Sequence, residues 1–186
     1  MKTLVTTVPE RSHYLDHFRE KLSDPIFVYD EVRSAMDTFL RALAKVDNEP
    51  AFLFQDDAII ANNFEKKASP IVRDKPLSLI QFFTMRNADI DIGSRWDNNF
   101  LMLQGIYIPP NMSTALIHFH SNYWVPNNCE GHKPVSALDS MICSYLKKTK
   151  QKYWIVVPNL VDHRVGPSAI DSRRSSTSRV SKTFKG

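Results

Sequence analysis

A single α/β domain, with a mostly parallel central sheet flanked by helices, is predicted by two observations. Short β-biased runs alternate with amphipathic helical stretches through the first third of the chain, and the second and third of those runs end in acidic residues. The length, 186 residues, suits one domain with a substantial core.

Residues 3–8 are a β-biased run closed by Pro9, the first strand. Over 10–22, Tyr14, Leu15, Phe18 and Leu22 recur at helical spacing with charged residues between them, which predicts an amphipathic helix. Ser23-Asp24-Pro25 breaks it, and Ile26-Phe27-Val28-Tyr29 is a second strand that runs into Asp30 and Glu31. A second helix is predicted over 32–46, with Met36, Phe39, Leu40 and Leu43 on one face. The third strand, Ala51-Phe52-Leu53-Phe54-Gln55, runs straight into Asp56 and Asp57, and another apolar run, 58–60, follows at once. This β-α-β-α-β order favours a parallel sheet with right-handed crossovers.

Further along, the pattern predicts a short helix over 62–72, a strand over 77–83 and an exposed polar loop over 86–99. In that loop Arg95 and Trp96 either grip a substrate or pack against the core. A strand over 100–108 is broken at Gly105 and stopped by Pro109-Pro110, and a helix capped by Asn111 or Ser113 runs to His120. His118 and His120, two apart on that helix, face different ways and cannot chelate one ion together. A Pro/Asn/Gly loop over 125–133 leads to a helix over 137–148 with Asp139 in its first turn, where a carboxylate also suits the helix dipole. The last strand, 153–157, is stopped by Pro158 and leads to His163.

The apolar fraction of 42% and charged fraction of 24% are those of an ordinary soluble globular protein. No apolar run approaches the roughly 20 residues that span a bilayer, and the N-terminus lacks a secretory pattern, so a cytoplasmic location is expected. Cys129 and Cys143 form no Cys-x-x-Cys pair and have no partners at zinc spacing, which leaves two reduced thiols. The net charge of +4 is uneven: residues 172–186 hold Arg173, Arg174, Arg179, Lys182 and Lys185 without an acid. The rest, a domain over 1–171, is slightly acidic. Such a basic C-terminal tail either stays solvated or binds a polyanion, such as the phosphates of a nucleotide, nucleic acid or lipid.

The acidic pair is the chemical focus. At the carboxyl end of a strand in an open α/β sheet, side chains emerge into the crevice where ligands bind. Neighbouring carboxylates repel unless a cation lies between them, and Mg²⁺ or Mn²⁺ accepts such oxygen ligands. The alternative is that Asp56 and Asp57 solvate a loop and cap the helix that begins near Asn62 or Asn63.

Several spaced segments together resemble a small nucleotide-sugar-dependent glycosyltransferase with the A-type (GT-A) fold, nearest to the lipopolysaccharide glycosyltransferases of family 25. Thr6-Thr7-Val8-Pro9-x-Arg11 resembles the first-strand segment that cradles the nucleoside in that family, and Asp30 resembles the acid that binds its base or ribose. Gln55-Asp56-Asp57 is similar to the Asp-x-Asp metal motif, with Gln55 in place of its first acid, so Asp57 is the safer ligand and Asp56 an adjacent contact. Val157-Pro158-Asn159-Leu160-Val161-Asp162-His163 is similar to the segment whose His completes the metal shell. The resemblance implies a UDP-sugar donor, Mn²⁺ or Mg²⁺ held by Asp57 and His163, and Asp139 as catalytic base if configuration inverts. Were it retained, Asp139 would bind hydroxyls. Arg164, Arg173 and Arg174, just after that His, are placed to fold over the diphosphate.

Two acceptors fit that chemistry: a surface or lipid-linked glycan, and DNA with hydroxymethylated pyrimidines of the kind bacteriophage glycosyltransferases modify. Compact length and the basic tail favour DNA. A non-catalytic nucleic-acid-binding module and a nucleotidyltransferase are the competing classes.

Overall fold

Strand β1 (Lys2–Thr7) lies between two parallel neighbours in a seven-stranded sheet of the computed structural model, which describes residues 1–128, 137–166 and 179–186. From its carboxyl end a 3-10 turn (Pro9–Tyr14) and helix α1 (Leu15–Lys21) lead to β2 (Ile26–Tyr29) on one side. Helix α2 (Ala35–Val46), capped by the Ser34 hydroxyl, then leads to β3 (Ala51–Gln55) on the other. After it come β4 (Ala58–Ile60), α3 (Phe64–Asp74), β5 (Ile80–Gln81), the short α4 (Asp89–Ile92), β6 (Arg95–Asp97) and β7 (Gly105–Ile108). Helices α5 (Met112–Phe119), α6 (Val125–Asn128) and α7 (Leu138–Thr149) and strands β8 (Tyr153–Ile155) and β9 (Val161–His163) follow.

The sheet order is β2-β1-β3-β7-β5-β8-β6, and β4 and β9 form a separate antiparallel pair. β1, β2, β3, β5 and β8 point one way, while β7 and β6 are reversed, so the mixed sheet keeps the parallel arrangement read from its first half. Alternate residues of each strand feed opposite faces. Leu4 and Leu53 join α2, α5 and α7 in one core; Val5, Phe52 and Phe54 join α1 and α3 in the other. The second core is aromatic: the Phe52 ring lies 5.2 Å from Phe64, 5.8 Å from Phe82 and 6.0 Å from Tyr107. No helix among the described residues is long and apolar enough to cross a membrane.

Three expectations are corrected. The stretch 86–99 is not an exposed loop: it holds α4 and β6, and Asp89 is 1% exposed. Its polar residues pair with one another, Arg95 with Asp89 and Asp97, and Arg86 with Asp97 and the Asn99 carbonyl. Arg95 is thus committed to the fold, and Trp96 meets Trp154 edge-on at 5.2 Å. Second, the helix expected to end at His120 continues through a π turn (His120–Trp124) into α6, so residues 125–128, expected as the start of a loop, are helical despite Pro126. Third, the strands expected over 77–83 and 100–108 shrink to β5 and β7.

Gly105 begins β7 rather than breaking it. A Cβ there would lie 2.8 Å from Val161 Cγ2 and 3.1 Å from the Phe54 ring, so the main sheet and the β4–β9 pair close on each other over a bare backbone. Gly105→Ala is expected to destabilise the protein by about 1–3 kcal/mol, read as a lower urea midpoint.

His17 on α1 accepts the backbone N–H of Ile60 in β4 through Nε2 at 2.8 Å, so its imidazole must be neutral. Burial, helped by Arg164 and Lys21, holds it below the ordinary histidine value. The unfolded chain therefore takes up this proton first as pH falls below about 6.5, and stability is lost from there down to the folded-state value. His17→Gln keeps an acceptor without a titration, so its urea midpoint should fall less than that of wild type between pH 7.5 and pH 5.

Candidate functional site

The connections leaving β1 and β2 pass over opposite faces of the sheet, α1 on one and α2 on the other, so the winding reverses between β1 and β3, beside whose carboxyl ends ligands bind in open α/β sheets. Asp56 and Asp57 form the turn from β3 to β4 at that point. β7 runs opposite to β3, so its start, with Gln104 before it, belongs to the same edge, and Gln104 Nε2 donates to Gln55 Oε1 at 3.0 Å.

Asp56 is 5% exposed and turns back onto the first strand. Its Oδ2 accepts the Thr7 hydroxyl at 3.0 Å and the Val8 N–H at 3.2 Å, and its Oδ1 accepts an Arg11 N–H at 2.8 Å. Neither carboxylate caps α3, whose N-cap is Asn63. Pro9 starts the 3-10 turn that brings Arg11 back over the pair. Asp30 lies beside this segment: its N–H donates to the Thr7 carbonyl at 2.7 Å, and its Oδ1 accepts the N–H groups of Val32 and Ser34.

Asp57 meets His163. In the β4–β9 pair Ala58 lies opposite His163, the Asp57 carbonyl accepts the Arg164 N–H at 2.7 Å, and His163 Nε2 comes within 3.4 Å of Asp57 Oδ2. The same oxygen accepts an Arg11 N–H at 3.2 Å. Burial alone would raise the Asp57 carboxyl, but His163 and Arg11 outweigh it and hold it below the usual range, while burial pushes Asp56 up despite its own Arg11 contact. The Arg164 guanidinium lies 4.4 Å from the Tyr14 ring centroid, over a ring that Arg11 approaches at 6.0 Å.

Asp139 stands in the first turn of α7 and accepts the N–H of Met102, which ties it to the residues leading into β7. Burial raises its carboxyl, against the Met102 N–H and nearby Arg179. The candidate residues Arg173 and Arg174, and the boundary expected at 171/172, lie outside the described residues. Residues 179–186 dock beside β9: the Ser181 N–H donates to Asp162 Oδ1 at 2.6 Å, Asn159 Nδ2 donates to the Ser181 hydroxyl at 2.8 Å, and the Asn159 N–H to the Thr183 hydroxyl at 3.0 Å.

Asp57 Oδ1 is buried without a hydrogen bond, and Asp57 and His163 offer one oxygen and one nitrogen at a spacing that neighbouring ligands of a single small ion can take after slight closure. Among the described residues no three His, Cys, Asp or Glu side chains gather to hold a metal, so these two would need ligand or water oxygens to complete a shell. Mg²⁺ is usually held by one or two carboxylates with substrate phosphates, and here the single Asp57 carboxylate would be joined by the His163 imidazole. Sequence reasoning missed Tyr14 as a platform, Gln104 as the partner of Gln55, and Asn159 with Ser181 as the anchor of the chain's last described residues.

No protein-family model and no curated protein matches the chain. Among solved structures, A197 from STIV is similar over 100% of this chain and 96% of that chain, at 9% identity and a TM-score of 0.49. A likeness of that size says nothing of function.

The Ser181 hydroxyl also accepts the N–H groups of Thr183 and Phe184. Ser181→Ala should therefore lower stability by about 1–3 kcal/mol, measured as the thermal midpoint.

Proposed function

We propose that the protein is a metal-dependent glycosyltransferase that moves a sugar from a UDP-sugar to an acceptor hydroxyl. The observation that carries this reading is the meeting of Asp57 and His163 beyond the end of β3, beside the Thr7-Val8 and Asp30 ends of β1 and β2. At such a reversal of winding nucleotides bind outside the carboxyl ends of the strands.

Thr7, Val8, Pro9 and Asp30 line the nucleoside end, and Asp56 holds Thr7 and Val8 in place. Asp57 Oδ2 and His163 Nε2 would hold Mn²⁺ or Mg²⁺, which neutralises charge on the leaving diphosphate when bound. Arg164, on the Tyr14 ring, with Arg173 and Arg174 further along, supplies guanidinium donors to the phosphate oxygens. The acceptor hydroxyl gives its proton to an Asp139 carboxylate oxygen as it attacks; a carboxyl raised by burial is a stronger base, and such transfer contributes roughly 10²- to 10⁴-fold. Asp139 as base goes with inversion, so an inverted product anomer supports this role.

The acceptor we favour is a hydroxymethylated pyrimidine in DNA rather than a glycan. Its support is the basic charge after residue 171, part of which, Arg179, Lys182 and Lys185, flanks the contacts made with Asn159 and Asp162. Transfer to DNA would fall steeply with salt, whereas transfer to a small glycan would barely change.

UDP with Mn²⁺, at a hundred times its Kd, should stabilise the protein by about 2.7 kcal/mol, a rise in melting temperature of about 5–10 °C. Asp57→Asn should keep the fold and lose the part of that rise that depends on Mn²⁺. If no nucleoside diphosphate raises the melting temperature with or without metal, the reading fails, and a preference for triphosphates would point to nucleotidyl transfer instead.

A further inference from the structure

We infer that Arg11 is the resident cation of this site: it neutralises the paired carboxylates until a divalent ion binds, then releases Asp57 and turns to the phosphates of the nucleotide. This rests on the role proposed above for Asp57 and His163. One guanidinium nitrogen bridges the pair, 2.8 Å from Asp56 Oδ1 and 3.2 Å from Asp57 Oδ2. That Asp57 oxygen is also the one His163 Nε2 approaches at 3.4 Å. Arg11 therefore shares the Asp57 oxygen that lies nearest His163, while Asp57 Oδ1 is the one left without a hydrogen bond.

The two cations compete for Asp57 Oδ2. An ion about 2.1 Å from Asp57 Oδ2 would lie no more than about 5 Å from a nitrogen that keeps its present contact, in a half-buried setting where water screens them poorly. Entry of the ion thus drives the guanidinium off Asp57. Asp56 can tolerate a weaker Arg11 contact, because its other oxygen keeps the Thr7 hydroxyl and the Val8 N–H.

The Tyr14 ring provides somewhere for the released group to go. Arg164 already lies over it at 4.4 Å, and Arg11 is 6.0 Å from its centroid. Two guanidinium groups on one ring repel unless an anion sits between them, and a diphosphate is such an anion. The ion and the nucleotide are then coupled through a single side chain, each favouring the arrangement that admits the other.

Calorimetric titration of wild type, Arg11→Gln and Arg11→Lys with Mn²⁺ alone, and with UDP in saturating Mn²⁺, tests this. Arg11→Gln should bind Mn²⁺ alone about tenfold more tightly and UDP with Mn²⁺ about tenfold more weakly, the scale of one lost charged hydrogen bond. Arg11→Lys, which keeps the charge, should stay near wild type for Mn²⁺ alone. An arginine that merely braces the loop would weaken both affinities when removed. Mn²⁺ binding that is unchanged or weaker in Arg11→Gln, while wild type still binds UDP with Mn²⁺, overturns this inference and leaves the proposed function standing. Wild type that binds neither sinks both. Arg11→Gln should melt lower than wild type in buffer and be brought back by Mn²⁺, and a variant that Mn²⁺ does not restore also counts against the inference.

Discussion

Two adjacent carboxylates at the end of a buried strand are tolerable only where opposite charge and hydrogen-bond donors converge on them. In this protein the donors come from distant stretches: Thr7, Val8 and Arg11 from the end of β1, and His163 from β9. The acidic turn therefore acts as a junction, where the main sheet, the β4–β9 pair and the 3-10 turn are held in one arrangement. Gly105 allows that junction to close, since Val161 packs where its side chain would be. The geometry of the site and the closure of the fold thus depend on the same few contacts.

Where local pattern decides structure, the sequence was readable. Met36, Phe39 and Leu43 mark the buried face of α2, and the β-rich run Ala51–Gln55 is a strand with four buried residues. Residues 86–99 were misread because Asp89, Arg95, Asp97 and Arg86 look like solvent-facing residues until their partners are known. Buried ion pairs carry no periodic signature. Pro126 misled for a related reason: proline marks a loop in sequence, yet here it follows a π turn within a continuing helix.

For the site, residue types and their order made the acidic pair and the late histidine legible as candidates, and the fold brings Asp57 and His163 together. What no spacing could reveal is the work of Asp56, which holds the first strand's end rather than pointing away, or the bridging position of Arg11. Both depend on β1 and β3 lying side by side, a fact of topology rather than of local sequence.

The sheet has its own timetable. β2, β1 and β3 are joined by short crossovers, whereas β5 finds its parallel partner β8 only after β6, β7 and the helices α4 to α7 have intervened. Contacts between remote stretches form slowly because the intervening chain must first be ordered. Asp57 lies in the part joined by short crossovers, and His163 follows the long one. A ligand gripped by both would fasten together two remote stretches of chain, and so would lengthen the lifetime of the native state by slowing its opening as well as favouring it at equilibrium.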